Sequence, residues 1–279
     1  MQYSGKLRLG ISPCPNDTFI FHALVHGLVT LPDGVAGSGI AFDTWLADVE
    51  ELNAWALAAG PDVCKVSAGC AGALTREYAL LRSGGALGRG VGPVLVAAGG
   101  RDAGGLDGAR VALPGARTTA ARLFELWCRR RGITPVVEQM VFSEVANAVA
   151  SGRADAGVLI HEGRFTHADL GLRLLADLGA FWEQDTGLPV PLGVIAVRRG
   201  LGPELGRALE ASVRASLEYA QANPEASAAW VRENAQELDA AVIQRHIETF
   251  VTDHSLDLGE EGAAALGELL GRDAAGLFV

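Results

Sequence analysis

Short β-rich runs alternate with amphipathic helical stretches as far as Arg198, and from Arg199 to the end the pattern is helical. This alternation predicts an α/β fold in which helices are layered on sheets. With 279 residues, the chain can bury a full core as one large domain or two smaller ones. The predicted strands are Leu7–Ile11, Ile40–Asp43, Asp62–Val66, Val91–Ala98, Arg110–Leu113, Val136–Phe142, Ala156–Ile160, Arg173–Asp177 and Leu192–Arg198. The predicted helices are Asp17–Val29, Val49–Leu57, Ser67–Arg76, Thr119–Arg130, Ser143–Ser151, Pro203–Ala222, Pro224–Asn234, Ala240–Thr252 and Glu260–Leu270.

Two apolar strands, Val91–Ala98 and Leu192–Arg198, are the predicted crossings between two lobes. The first lobe is expected to comprise residues 1–96 and 199–279, so that the C-terminal helices complete it, and the second lobe residues 97–198. A two-lobed α/β chain places a cleft between its lobes, and small ligands usually bind in such clefts.

The composition indicates which partners suit the chain. Apolar residues make up 49% of it and charged residues 20%, as in a globular protein. The formal net charge is −10 and the acidic residues form no block, which disfavours nucleic acid and anionic membranes, since both bind basic surfaces. A small anionic ligand needs only a local positive site and stays compatible with this charge.

The cysteines and the N-terminal residues indicate the compartment. The four cysteines have neither the spacing of a zinc site nor that of a secreted disulfide scaffold. The first ten residues contain no apolar core of a signal peptide, and no apolar run is long enough to span a membrane. We therefore expect a soluble, cytoplasmic protein.

Two motifs follow strands near the N-terminus. Ser12-Pro-Cys-Pro-Asn-Asp-Thr-Phe19 is a rigid turn in which Asn16 and Asp17 are expected to cap the next helix. Asp62–Ser67 ends a strand, with Ser67 as the expected N-cap. For each motif, two interpretations stay open: a well-capped helix, or a ligand site at the carboxyl end of a strand. In the first interpretation of the second motif, Lys65 is a surface lysine.

Two more motifs lie in the predicted second lobe. Leu113–Ala120 joins a strand to a helix capped by Thr118 or Thr119, which favours an anion cradle and an ordinary cap about equally. His161 follows the apolar run Ala156–Ile160, and histidine suits proton transfer near neutral pH. A hydrogen-bonding role for this histidine is the alternative.

Three other patterns resemble known functional sites, but each lacks an element that the site requires. The Gly-rich segment Ser83–Gly92 precedes a strand instead of a helix, so a flexible turn or hinge is favoured over a dinucleotide site. His22 and His26 share a helix face but lack the Glu of an HExxH motif, so no zinc site is predicted. No G-x-S-x-G elbow is present, which disfavours a serine hydrolase.

Seven segments, in order along the chain, resemble one known family. They are Ser12–Phe19, Lys65–Ser67, Ser83–Pro93, Pro114–Ala120, His161–Phe165, Asp185–Gly193 and Leu277–Val279. The family is that of the 1,4-dihydroxy-6-naphthoate synthases, and the resemblance covers essentially the whole chain. It implies a type II periplasmic-binding-protein-like fold that acts as a lyase without a metal or organic cofactor. Such enzymes convert cyclic dehypoxanthinylfutalosine to 1,4-dihydroxy-6-naphthoate and dihydroxyacetone, in the futalosine route to menaquinone.

The resemblance also assigns roles to particular residues. The family's histidine base falls on His161, and its two substrate-binding strips fall on positions 65–67 and 119–120. Ala68 and Gly69 stand where members of the family often carry an aromatic residue, so any contact of that ring is missing here. The expected substrate-binding residues are Lys65, Val66, Ser67, Thr119 and Ala120.

Other interpretations stay open. A solute-binding protein shares the expected fold, and so does chorismate dehydratase, another enzyme of the same pathway. Asp17, Asn53 and Glu183 are candidates for a second acid or for a group that orients the histidine. The apolar faces of the C-terminal helices fit a homodimer interface and core packing equally well.

Overall fold

The computed structural model describes residues 5–29, 41–100, 102–161, 163–235, 239–274 and 276–279. Its strands are β1 Lys6–Ile11, β2 Ala41–Leu46, β3 Val63–Ser67, β4 Tyr78–Leu80, β5 Ala86–Gly88, β6 Val94–Ala98, β7 Arg110–Leu113, β8 Val136–Gln139, β9 Ala156–Leu159, β10 Leu172–Asp177 and β11 Val190–Arg198. Its helices are α1 Pro15–Val25, α2 Val49–Leu57, α3 Ala68–Leu74, α4 Thr119–Arg131, α5 Phe142–Ala150, α6 Gly163–Thr166, α7 Leu178–Thr186, α8 Pro203–Ala222, α9 Pro224–Asn234, α10 Ala240–Phe250, α11 Asp253–Leu256 and α12 Gly259–Leu270.

The chain forms two compact α/β units, one of Met1–Gly88 with Pro191–Val279 and the other of Arg89–Val190. Both divisions fall eight residues before the boundaries expected from the sequence. The strand pairing explains the difference, because β6 pairs with β9 and β10 in the second unit and β11 pairs with β3 and β4 in the first. The cleft between lobes stays a prediction.

The sheet of the first unit has the order β2-β1-β3-β11-β4, with β5 added beside β11. Strand β1 is parallel to both β2 and β3, whereas β11 is antiparallel to β3 and β4. Because β1 and β3 are parallel neighbours, their carboxyl ends lie at the same edge of the sheet. The turns that follow these two strands are therefore neighbours.

Helix α1 lies under the C-terminal helices of the first unit. All its residues except Val25 are buried, and it contacts α8, α9 and α10. The Ser216 hydroxyl of α8 donates to the carbonyl of Ile20 at 2.6 Å and accepts the N–H of Leu24 at 3.0 Å. The helix ends at Val25, four residues before the expected end, because Gly27 adopts a left-handed φ of 69° that terminates it.

The sheet of the second unit has the order β10-β6-β9-β7-β8. Strand β7 is parallel to β8 and β9, and β6 is antiparallel to β9 and β10. Helix α4 buries Phe124 and Trp127, while α5 packs Val145 and Val149 on the sheet. Gly157 of β9 is required here, since a Cβ at this position would lie 2.7 Å from the side chain of Val145.

Five of the elements named above were not predicted: β4, β5, α6, α7 and α11. Strand β5 lies inside the glycine-rich segment that was expected to be a flexible turn, and that expectation is wrong for Ala86–Gly88. These residues are buried and pair with β11, so tertiary pairing overrides their weak local β-propensity. In the described part of the chain, no helix is long and apolar enough to cross a membrane.

We predict that Gly179→Ala destabilises the second unit by about 3 kcal/mol or more, a large overpacking effect. A Cβ on Gly179, in the first turn of α7, would lie 1.9 Å from the carbonyl oxygen of Val91, which belongs to rigid backbone. Gly100→Ala is the matched control, because a Cβ there meets nothing within 4 Å. Urea unfolding of both variants measures the effect, and equal stability would show that the Val91 segment can move away.

Candidate active site

A buried ion pair joins the first two motifs of the sequence. The ammonium of Lys65, in β3, contacts Oδ1 of Asp17, in α1, and the two side chains are 5% and 2% exposed. The ammonium also donates to the carbonyl of Gly84 at 3.3 Å. Lys65 is therefore not a surface lysine. A pair this buried is costly to desolvate, so its geometry and its further hydrogen bonds determine whether it is tolerated.

The second carboxylate oxygen of Asp17 is satisfied within its own motif. Oδ2 accepts the Ser12 hydroxyl at 2.7 Å and the Ser12 N–H at 3.3 Å, and Oδ1 also accepts the Asn16 amide at 2.9 Å. The expectation that Asn16 and Asp17 cap the helix is wrong. Cys14 holds the N-cap position without a side-chain bond, and Pro15 occupies the first turn, where a missing N–H costs little.

The network continues from Asn16 into the C-terminal helices. Oδ1 of Asn16 lies 3.0 Å from Nε2 of His246, on α10, and both side chains are buried. Buried polar groups are tolerated when hydrogen-bonded to one another, and a chain of them specifies one packing arrangement. This hydrogen bond therefore joins the first motif to the C-terminal helices, which are far apart in sequence.

Ser67, at the end of β3, is held by Asn53 of α2. Oδ1 of Asn53 accepts the Ser67 N–H at 2.9 Å, and Nδ2 donates to the Ser67 hydroxyl at 3.3 Å. Ser67 stands at the N-cap position of α3 but makes no side-chain cap, so the expected capping role is wrong. The side chain of its neighbour Val66 is fully buried.

In the second unit, α4 begins with the ordinary cap that the sequence offered as one interpretation, and the anion cradle stays a prediction. Thr118 is the cap: its hydroxyl accepts the Ala121 N–H at 3.1 Å and donates to the carbonyl of Gly115 at 2.9 Å. Thr119 and Ala120 are the first helical residues, where N–H groups have no acceptor within the helix and the helix dipole is positive.

His161 follows β9 in a strained turn. Its φ is 53°, and Ala59 is the other non-glycine residue with positive φ in the described ranges. The ring lies against Phe142 at 5.0 Å between centroids, nearly edge-on. Such conformations are held by their surroundings and cluster at functional sites. Its neighbour Glu162 lies outside the described residues.

Arg164 holds the turn that carries His161, a role that the sequence did not reveal. Its guanidinium donates to the carbonyls of Gly90 and Gly92 at 3.1 and 3.0 Å and to the carboxylate of Asp177 at 2.6 Å. Its own N–H donates to the carbonyl of His161 at 3.3 Å. The fixed fork of the guanidinium suits three such acceptors, whereas a lysine could not span them.

The remaining candidate, Glu183, accepts the N–H of Gly90 at 2.8 Å through Oε1. The structure thus places it on the segment that Arg164 also binds. Asp17 and Asn53 lie in the first unit, where they bind Lys65 and Ser67. Each of the three candidates therefore has a structural partner.

The two histidines that resemble part of a zinc site lie against each other, with their rings tilted by 35°. The ring centroids of His22 and His26 are 4.5 Å apart, and Trp230 lies 5.1 Å from His26. Nδ1 of His22 is buried without a hydrogen-bond partner, and burial, followed by the charge of His26, lowers the pKa of His22. No group of three His, Cys, Asp or Glu residues in the described ranges is placed to hold a metal ion.

Comparison with known proteins identifies the family. The model of a family described as menaquinone biosynthesis matches residues 7–275. The chain belongs to this menaquinone biosynthesis family. It is 48% identical to a 1,4-dihydroxy-6-naphthoate synthase of Thermus thermophilus over 94% of this chain and 92% of that protein. It is 46% identical to the synthase of Streptomyces coelicolor, over 96% and 93% of the two chains.

Solved structures confirm the expected fold of this family member. Protein AF1704 of Archaeoglobus fulgidus has a TM-score of 0.86 at 33% identity, covering 95% of this chain and 96% of that one. The periplasmic aliphatic sulphonate-binding protein SsuA of Escherichia coli has a TM-score of 0.65 at 15% identity, covering 96% and 86%. The second likeness shows the fold alone. The periplasmic-binding-protein-like α/β fold and the enzyme family expected from the sequence are both confirmed.

We predict that Lys65→Met lowers the free energy of unfolding by about 3–5 kcal/mol, because it leaves the Asp17 carboxylate buried and unpaired. Lys65→Met/Asp17→Asn, which removes both charges, recovers most of this loss. Arg129→Met breaks an exposed pair with Glu125 and costs less than about 1 kcal/mol. Urea unfolding measures all three variants, and equal losses in the single and double variants would contradict the interpretation.

We also predict that His22 makes the protein less stable in acid. Its lowered pKa means that, as pH falls below about 6.5, the unfolded chain takes up a proton that the folded protein resists. Stability is therefore lost on acidification, with a slope of at most about 1.4 kcal/mol per pH unit from this one group. Urea unfolding from pH 7.5 to 5 should show a shallower loss in His22→Gln, and identical pH profiles would refute the prediction.

Proposed function

We propose that the chain is a carbon–carbon lyase, a 1,4-dihydroxy-6-naphthoate synthase. In the futalosine pathway it converts cyclic dehypoxanthinylfutalosine to 1,4-dihydroxy-6-naphthoate and dihydroxyacetone. The observation that carries the proposal is the 46–48% identity to two proteins of this name over nearly the whole chain. Membership of a biosynthetic family supports a cytoplasmic location.

His161 is the proposed base. It takes a proton from a hydroxyl or a carbon of the substrate, the electron pair left behind breaks a C–C bond, and the new ring gains aromatic stabilisation. The strained turn, the contact with Phe142 and the bonds of Arg164 support this role, since a base must be held in position to act. We propose a reaction that needs no metal or organic cofactor.

The partner is a small anionic substrate that carries a carboxylate. The first N–H groups of α4, at Thr119 and Ala120, and the hydroxyl of Ser67 are neutral donors that suit an anion. For Lys65 and Val66 we propose supporting roles. Lys65 neutralises the Asp17 carboxylate, which would otherwise repel the substrate, and Val66 anchors the strand that ends in Ser67.

We predict that His161→Asn lowers kcat by about 100-fold or more, the usual contribution of a general base. EDTA-treated protein is incubated with cyclic dehypoxanthinylfutalosine, and naphthoate is followed by chromatography and mass spectrometry. His254→Asn, a change of a half-buried histidine on α11, is the matched control and should turn over like the wild type.

The outcomes separate the rival functions. A folded His161→Asn protein with near-normal turnover would exclude His161 as the base. Ligand binding without product in the wild type would instead support a solute-binding protein, and formation of product from chorismate would support the dehydratase.

A further inference from the structure

Asn53 lies at the centre of a small hydrogen-bond network. Its partners allow only one orientation of its side-chain amide, that is, one assignment of the oxygen and the nitrogen. It is fully buried in α2, and its side chain contacts the N–H of Ser67, the hydroxyl of Ser67 and the carboxylate of Glu50. A backbone N–H can only donate, so the amide oxygen must face it. With the oxygen so placed, the amide nitrogen faces the carboxylate of Glu50, at 3.0 Å.

This orientation determines the state of the Ser67 hydroxyl. The second amide proton of Asn53 points to Oγ of Ser67, so Oγ is an acceptor in that contact and its own proton must point elsewhere. No residue in the described ranges accepts a hydrogen bond from that proton. Ser67 thus keeps one unused donor, in a residue that is itself 3% exposed.

We propose that Asn53 is a positioning residue that orients Ser67 as a hydrogen-bond donor to the substrate, and so favours a group that accepts, such as a carboxylate. The inference rests on the proposed function for the role of Ser67 in substrate binding. Beyond that function, it assigns a role to Asn53, which acts on the substrate through the side chain of Ser67. The Asn53 amide occupies one of the two lone pairs of the Ser67 oxygen and turns the hydroxyl proton away from itself, so the proton is presented to a substrate group that accepts.

The residues themselves offer a charge-matched test. In Glu50→Gln/Asn53→Asp the pair keeps one amide and one carboxylate, but the carboxylate now stands at position 53 and can only accept. It still accepts the Ser67 N–H and an amide proton from position 50, whereas the Ser67 hydroxyl now turns its proton towards it. The wild type, which has the same one amide and one carboxylate, is the reference. Glu50→Gln alone, which leaves Asn53 in place, measures the loss of the Glu50 carboxylate, and Asn223→Asp, an exposed change in the same unit, is the control.

We predict that KM for cyclic dehypoxanthinylfutalosine rises about 10- to 100-fold in the double variant relative to the wild type, with kcat within about threefold, as for loss of uniform binding. The Kd for 1,4-dihydroxy-6-naphthoate, measured by calorimetry, should rise in parallel. In a Ser67→Ala background the same exchange should change KM and Kd less than about threefold, because the hydroxyl through which Asn53 acts is gone.

Equal effects with and without the Ser67 hydroxyl would overturn the inference while leaving the lyase function intact. A wild type that neither turns over the substrate nor binds the naphthoate would overturn both. If the Glu50→Gln/Asn53→Asp protein does not fold, Asn53→Ala replaces it. Its effect on KM and Kd is then compared between the wild type and the Ser67→Ala background. A merely structural role of Asn53 would change the melting temperature in both backgrounds without this dependence on Ser67.

Discussion

The buried ion pair between Lys65 and Asp17 is the contact around which the first unit is arranged. Two charges taken out of water must have excellent geometry and further hydrogen bonds, or the fold would be better served by apolar side chains. Here Asp17 accepts from Ser12 and Asn16 as well as from Lys65, and Lys65 also donates to the carbonyl of Gly84. The pair thus ties together the ends of β1 and β3 and the segment before β5.

The same pair constrains residues that carry no charge. Gly193 of β11 faces Lys65, and a Cβ there would lie 2.7 Å from Cε of the lysine. From Asn16 the network reaches His246 in α10, so the C-terminal helices are bound to the first motif by a polar contact as well as by apolar packing. A sequence motif that looked like a local cap is in fact the centre of a long-range network.

The difference between local and long-range causes explains how much of the structure could be predicted. Helices α2, α8 and α9 have the bounds expected from the sequence, since Asp48 caps the first and prolines open the other two. Strand β5 could not be predicted, because its partner β11 lies far along the chain, on the other side of the whole second unit. The site followed the same rule: the strand ends were predictable, but the partner of Asp17, the use of Asn53 and the role of Arg164 depend on contacts that no local pattern records.

An acidic protein that binds an anion must supply a positive potential locally. In this chain the basic side chain of the first strip, Lys65, is already neutralised by Asp17, so it cannot supply a net charge. The groups that we propose for the anion are neutral dipoles: the first N–H groups of α4 and the hydroxyl of Ser67, which accepts a bond from the amide of Asn53. Dipoles held rigidly lose little freedom on binding and reject a ligand that presents donors of its own. A net charge of −10 is therefore compatible with recognition of a carboxylate, provided that the buried network holding those dipoles stays intact.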